Sequence, residues 1–439
     1  MTNTLNRRGF LGAVAGAAGA TGALAMPGTL AATLLSLSAC GGPRQTLGAG
    51  LTPDPNGICD LPKGFSYKII SQAGEVMSDG LEVPGYHDGM GAFKGPNGET
   101  ILVRNHETPL FFPKDPPSPV PDMAYDPASS GGTTTIWLDD ALNVIKHHLS
   151  LTGTIRNCAG GITPWGTWVS CEEAGGSGWE MGKRHGYAFE VNPLDPLKKI
   201  EPIKAMGRFN HEAIAVDGNG TVYETEDDMN GCFYRYIPRV GGRLAEGGTL
   251  QALKFTDGRL HTTDEPMQPG QPYACEWVTI DEPDPEDNTL RREAQSKGAA
   301  IFVRGEGIVT APDGLYFTCT QGGAAGIGQV FKYIPGDSAD AGGQVMLVFE
   351  ATTPGALEKP DNIVISPWGD LIICEDCDLT SQRLVGLTPE GKLYHIAATD
   401  ISEWAGACFS PDGKTLFANI QKDPGRTLAI RGPWESLRG

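Results

Sequence analysis

Short runs of apolar and β-branched residues recur along the chain in pairs, and the two members of each pair are separated by a tight turn of the form Pro/Asp-x-Gly. The turns and the runs after them are Pro96-Asn97-Gly98 with Thr100–Val103, Pro164-Trp165-Gly166 with Thr167–Val169, and Asp217–Gly220 with Thr221–Tyr223. Three more follow: Pro312-Asp313-Gly314 with Leu315–Phe317, Pro367-Trp368-Gly369 with Leu371–Ile373, and Pro411-Asp412-Gly413 with Thr415–Phe417. Apolar runs such as Gly160–Ile162, Ala213–Val216, Gly307–Val309 and Ile363–Ile365 precede the turns. Run, turn, run predicts a β-hairpin, and the chain holds six.

Successive turn glycines lie 68, 54, 94, 55 and 44 residues apart. A four-stranded propeller blade takes about 40–45 residues, so each interval holds one blade plus an insertion. The larger insertions fall at Pro109–Gly132 and at residues 258–298, both rich in Pro and acids, and are expected to be loops. The predicted fold is all-β: a six-bladed β-propeller, one domain with inserted loops. A pair of sandwiches is the less economical alternative, and the intervals are too long and irregular for a solenoid. With 60 glycines and 33 prolines in 439 residues, composition fits a chain of many turns, and 40% hydrophobic content rules out disorder.

The N-terminus carries an address. Arg7-Arg8 precedes a weakly hydrophobic Ala/Gly-rich stretch that resembles a twin-arginine (Tat) export signal, and Leu37-Ser38-Ala39-Cys40 resembles a lipoprotein processing box. The expected organisation is a signal peptide over 1–39, a linker over 40–60 and a propeller over 61–439. The mature chain is expected in the periplasm or at the cell surface, as a monomer tethered by lipid on Cys40. The formal net charge of −19 argues against a nucleic-acid partner.

In a propeller, equivalent positions on the inner strands converge on one axis. Eight residues before the turn glycine stand Cys158, Glu212, Glu306 and Asp361, with Asp88 and Glu403 two residues further back in the first and last repeats. Carboxylates are costly at strand starts unless paired or metal-bound, so this register predicts a ring of metal ligands. The ends of the second strands add Glu107, Glu172, Glu173, the acidic run Glu224–Asp228, Glu375 and Asp376. Oxygen donors in this number suit Ca²⁺, whereas Cys158 suits iron or zinc. Arg304, two residues before Glu306, suits a clamp on phosphate or carboxylate, or else an internal salt bridge.

On these residues the chain resembles the PhoX family of bacterial alkaline phosphatases. The resemblance runs through Arg104-Asn-His-Glu107, Asn157-Cys158 to Trp168, Ser170-Cys-Glu-Glu173, Arg208 to Glu212, Arg304-Gly-Glu306, Pro360-Asp-Asn362, Phe409 to Gly413 and Asn419-Ile-Gln421. It implies hydrolysis of phosphate esters, monoesters with diesters as the alternative, at two Fe³⁺ and three Ca²⁺ ions in the channel mouth, with release of inorganic phosphate. It further implies Cys158 as an iron ligand, Glu212, Glu306 and Asp361 as metal ligands, the Cys-Glu-Glu acids on calcium, and Arg304 on the phosphate.

Two readings from other classes stand beside it. One is a calcium-dependent lactonase or arylesterase, which has no use for the Cys158 thiolate. The other is a non-catalytic binding platform, which has no use for an anion clamp. Apart from Cys40 and Cys158, eight cysteines remain, enough for up to four disulfides in an oxidising compartment. Cys374-Glu-Asp-Cys377 has no partner motif for a zinc site.

Overall fold

The computed structural model describes residues 46–47, 50–109, 117–174, 182–258, 262–338, 341–353, 355–377 and 381–438. The export signal and Cys40 lie outside them.

All six hairpins form. Their inner and second strands are His87–Lys94 with Thr100–His106, Asn157–Ile162 with Trp168–Glu172, and His211–Val216 with Val222–Glu226. The other three are Gly305–Ala311 with Gly314–Cys319, Pro360–Ile365 with Leu371–Glu375, and Trp404–Phe409 with Leu416–Ile420. The turn glycines explain the recurring motif. Gly98, Gly166, Gly220, Gly369 and Gly413 all have φ between 72° and 100°, where a side chain is strained. Each donates its N–H to the carbonyl three residues earlier, as Gly220 does to Asp217 at 3.0 Å.

The six inner strands follow one another around a closed ring, each against the next and the last against the first. The chain is a β-propeller. Further antiparallel strands extend each hairpin outward. The last sheet is completed by the early strand Ser66–Gln72, which pairs with Arg426–Arg431 and so ties the two ends of the fold together. Arg104 of the first sheet, fully buried, reaches the same strand by donating to Thr427 Oγ1 at 2.6 Å. Aromatic rings fill the core between repeats, as where Phe233 of the third repeat stacks on Phe317 of the fourth, which also stacks on its cross-strand partner Phe331.

Three expectations change. The stretch 258–298 is more than a loop: Pro272–Thr279 is a strand joining Gly248–Phe255 to Gly343–Glu350, which merges two repeats into one nine-stranded sheet. It also holds Leu290–Ser296, the one α-helix among the described residues. Within the expected linker, Leu51–Thr52 pairs with Leu61–Pro62 and Cys59 is buried, so this segment is tied to the fold although Thr52, Pro53, Pro55, Asn56 and Gly57 are exposed. Finally, the described cysteines are buried, and no disulfide joins two of them. Cys59, Cys171, Cys232, Cys275, Cys319, Cys374 and Cys408 sit in the packed layers as small apolar side chains.

Candidate metal centre

A β-bulge interrupts every hairpin near the start of its inner strand, leaving two inner-strand residues opposite one partner. In the first five repeats the first bulged residue is Asp88, Cys158, Glu212, Glu306 or Asp361. A bulge bends the strand and re-aims its side chain, and here it turns five potential ligands toward the axis. In the sixth repeat the bulge lies one residue later, at Gly406-Ala407. There a Cβ on Gly406 would come within 2.3 Å of the Asp88 carbonyl, so the sixth repeat gives no donor to this ring.

A second layer lies above the first. The residue after each second strand donates its backbone N–H to the carbonyl of the residue before the inner strand. The pairs are Glu107 to Tyr86 (2.9 Å), Glu173 to Arg156 (3.0 Å), Asp227 to Asn210 (3.2 Å), Thr320 to Arg304 (3.1 Å), Asp376 to Lys359 (3.1 Å) and Gln421 to Glu403 (3.2 Å). Glu107, Glu173 and Asp376 therefore share one register at the channel mouth. Glu403 belongs to the same layer, on its other member, rather than to the inner ring.

Two groups of donors approach closely enough to hold an ion. Ligand atoms of Cys158, Glu173 and Glu212 lie within 4.8 Å of one another, as do those of Glu212, Glu306 and Asp361. Glu212 is common to both. Behind the ring the channel is apolar, lined by Ala159, Ile214, Ile308, Val309, Ile363 and Ala407 among others.

The electrostatics show what this arrangement lacks. Burial, then the like charges of Glu306 and Asp361, push the Glu212 carboxyl well above the usual range. Burial and neighbouring carboxylates do the same to Asp88, Glu306 and Asp361. Glu173 also rises, by burial and against the pull of Arg156. Burial and the adjacent Asp376 raise Glu403 to about 8. Burial, then Glu212 and Glu173, drive the Cys158 thiol up. Bound cations would relieve both the burial cost and the repulsion. The donor set, one sulfur among many oxygens, fits a thiolate-tolerant metal together with hard cations.

Glu172 has a different place from Glu173. It is fully buried and accepts hydrogen bonds from the N–H groups of Ile155 (3.0 Å), Gly186 (2.8 Å) and Tyr187 (3.2 Å) and from His185 Nδ1 (2.7 Å). It joins neither donor group. Arg304 is held by Asp227 through Nε to Oδ1 (2.7 Å) and Nη2 to Oδ2 (2.6 Å), and by Glu306 at 3.0 Å. The internal salt bridge and a position over the ring are thus both realised. His211 is an interior histidine, bonded to the Gly207 carbonyl and stacked on Phe209.

Two residues of the mouth escaped the sequence reading as site members. Asp227 lay inside an acidic run that gave no reason to choose it, although it stands one residue past its strand as Glu173 and Asp376 do. Arg156 lies two residues before Cys158, the offset of Arg304 from Glu306, and that offset was the available signal.

A family model described as alkaline phosphatase PhoX matches residues 46–148 and 140–425. The chain belongs to the PhoX family. PhoX enzymes are alkaline phosphatases, and this chain is a metal-dependent phosphoric ester hydrolase of that family. The structure of Pseudomonas fluorescens PhoX in complex with vanadate, a transition-state analogue, matches with a TM-score of 0.68 at 19% identity, covering 89% of this chain and 98% of that one. A gluconolactonase from Xanthomonas campestris matches with a TM-score of 0.45 at 10% identity, over 89% and 100% of the two chains. No curated protein sequence matches. The PhoX assignment does not favour the lactonase or binding-platform readings.

Proposed function

We propose that the chain hydrolyses phosphate monoesters at an iron and calcium cluster in the mouth of a six-bladed propeller. The blade count rests on the six inner strands that close the ring. The reading rests above all on the two donor groups that share Glu212, because one bridging carboxylate suits a pair of adjacent ions. Cys158, Glu173 and Glu212 would hold one iron, and Glu212, Glu306 and Asp361 the other. The remaining acids, Asp88 of the ring and Glu107, Asp376 and Glu403 of the mouth, are left for the three calcium ions that the family resemblance implies. The metals, when bound, supply Lewis acidity toward the phosphoryl group.

The chain's own residues position the ester. Asp227 and Glu306 engage Nε and Nη2 of Arg304 and so fix the guanidinium at the mouth, with Nη1 the nitrogen that would meet a phosphoryl oxygen. The apolar channel behind the ring lowers the local dielectric and strengthens every charge interaction in front of it. The similar fold of Pseudomonas fluorescens PhoX, solved in complex with the transition-state analogue vanadate, supports phosphoryl transfer as the chemistry of this fold.

Metal analysis together with p-nitrophenyl phosphate turnover tests the reading. The purified protein should carry iron and calcium and release phosphate. Cys158→Ala should lose iron and at least about a hundredfold in turnover while keeping the fold. A Cys158→Ala protein with full iron and undiminished turnover overturns the ligand assignment.

A further inference from the structure

We propose that Arg156 is a second arm of the phosphate clamp, working beside Arg304; this rests on the phosphatase reading above. The two arginines occupy the same place in different repeats. Each directly precedes an inner strand, each stands two residues before a donor of the ring, and each accepts the mouth-layer hydrogen bond on its carbonyl. Both have left-handed backbones, with φ of 44° at Arg156 and 54° at Arg304. A non-glycine residue adopts that conformation at a cost and keeps it only where the surroundings hold it, a pattern that clusters at functional sites. Tyr86 and Lys359, in the same register, also have positive φ, of 51° and 44°, so this conformation marks the position before the inner strand and the charge environment is what singles out the arginines.

Their charge environments match as well. Arg304 pairs with Glu306 of the ring and with Asp227 of the mouth layer. Arg156 pairs with Glu173, a member of a donor group, and with Glu107 Oε1 at 2.6 Å. Both side chains remain partly open, 31% exposed for Arg156 and 24% for Arg304. The structural arginines of this fold look different: Arg104 and Arg208 are fully buried, and Arg208 donates to the backbone carbonyls of His185 and Glu286. Arg156 is placed as Arg304 is, over donors and open to the mouth. A tetrahedral dianion resting on the ring would meet one guanidinium from the second repeat and another from the fourth.

The test measures inorganic phosphate binding by calorimetry on the purified protein, alongside its metal content and the separate kcat and KM for p-nitrophenyl phosphate. R156Q should bind inorganic phosphate about tenfold or more weaker and raise KM by a similar factor, since a charge-assisted bond is lost, with metal content unchanged. R156K, which keeps the charge but not the fork, should recover part of the affinity. If R156Q fails to fold, R156K alone decides, by a weakened phosphate affinity at full metal content. Unaltered phosphate affinity in a folded variant overturns the proposal, as does loss of metal in step with affinity, which would make Arg156 only a support for Glu173. A wild-type protein that binds phosphate through Arg156 but turns over no ester instead overturns the phosphatase reading.

Discussion

Glu172 and Glu173 are adjacent, and the end of one strand sends them in opposite directions. Glu172 turns inward against His185, whose charge burial opposes but Glu172 and Asp126 sustain, holding its pKa at about 9. Glu173 turns to the channel mouth, beside Cys158 and Glu212. The two are therefore separable by substitution. E172Q replaces a buried charge that takes four hydrogen bonds and faces an imidazolium, so it should cost about 3–5 kcal/mol of stability and leave the metal content of the folded fraction intact. E173Q, at a carboxyl that burial already pushes toward its neutral form, should cost the metal-free protein less stability than E172Q does and should lower metal content and turnover together. Denaturant melts paired with metal analysis check this, and equal metal loss in both variants would mean that Glu172 also serves the cluster. Sequence alone treated the two acids alike, because a Cys-Glu-Glu run does not say where its strand ends. The ring was more legible. Four of its donors stand at one offset from a turn glycine, and a hairpin of constant length converts that offset into a constant position in space.

At the scale of the element, the repeated bulge aims the ring, and no simple alternation along the chain announces it. Alternation predicts which face a side chain takes until the register shifts, and in the first five hairpins it shifts at the functional position. The sixth repeat shows the consequence: counting back to Glu403 passes over Gly406, where the bulge itself falls. Gly406 has φ of 60°, and an added Cβ would meet the Asp88 carbonyl and the Asn419 amide, at 2.3 and 2.6 Å. G406A should therefore cost about 2–4 kcal/mol, from strain and overpacking together. It should also disturb Asp88, whose carbonyl accepts from Asn419 Nδ2 at 2.6 Å. Gly98 lies in open space and is a useful contrast, since G98A meets only the cost of its positive φ, about 1 kcal/mol. Equal melting shifts for the two variants would show that Gly406 is a turn-forming residue and nothing more. The strand Pro272–Thr279 was hidden for a different reason. Its Pro- and acid-rich flanks carry the composition of a loop, and what makes it a strand is pairing with partners far along the chain.

For the whole molecule, the net charge of −19 divides into two populations with different consequences. Acids on the outer surface keep the protein soluble, while those on the axis oppose folding unless cations compensate them. Asp88, Glu173, Glu212, Glu306 and Asp361 all have raised affinities for protons, and Glu403 titrates at about 8. In the unfolded chain the same groups titrate near pH 4. Over this range these carboxylates bind more protons in the metal-free folded state than in the unfolded state, so their contribution to stability falls as pH rises from about 4 to about 8, while buried His87, His106 and His147, held below the usual imidazole range, act in the opposite sense below about 6.5 in both forms. Bound cations displace those protons and should remove that slope. His185 adds a separate decline, because the stability from its raised pKa is full below about 6.5 and is lost as pH passes about 9. That decline is common to both forms and cancels in their difference. Thermal melts of chelator-treated and metal-loaded protein from pH 5 to 8 should therefore diverge steadily toward alkaline pH, the loaded form gaining at each step. Parallel curves would mean that the axial carboxylates are compensated without metal, and the donor ring would lose its physical rationale.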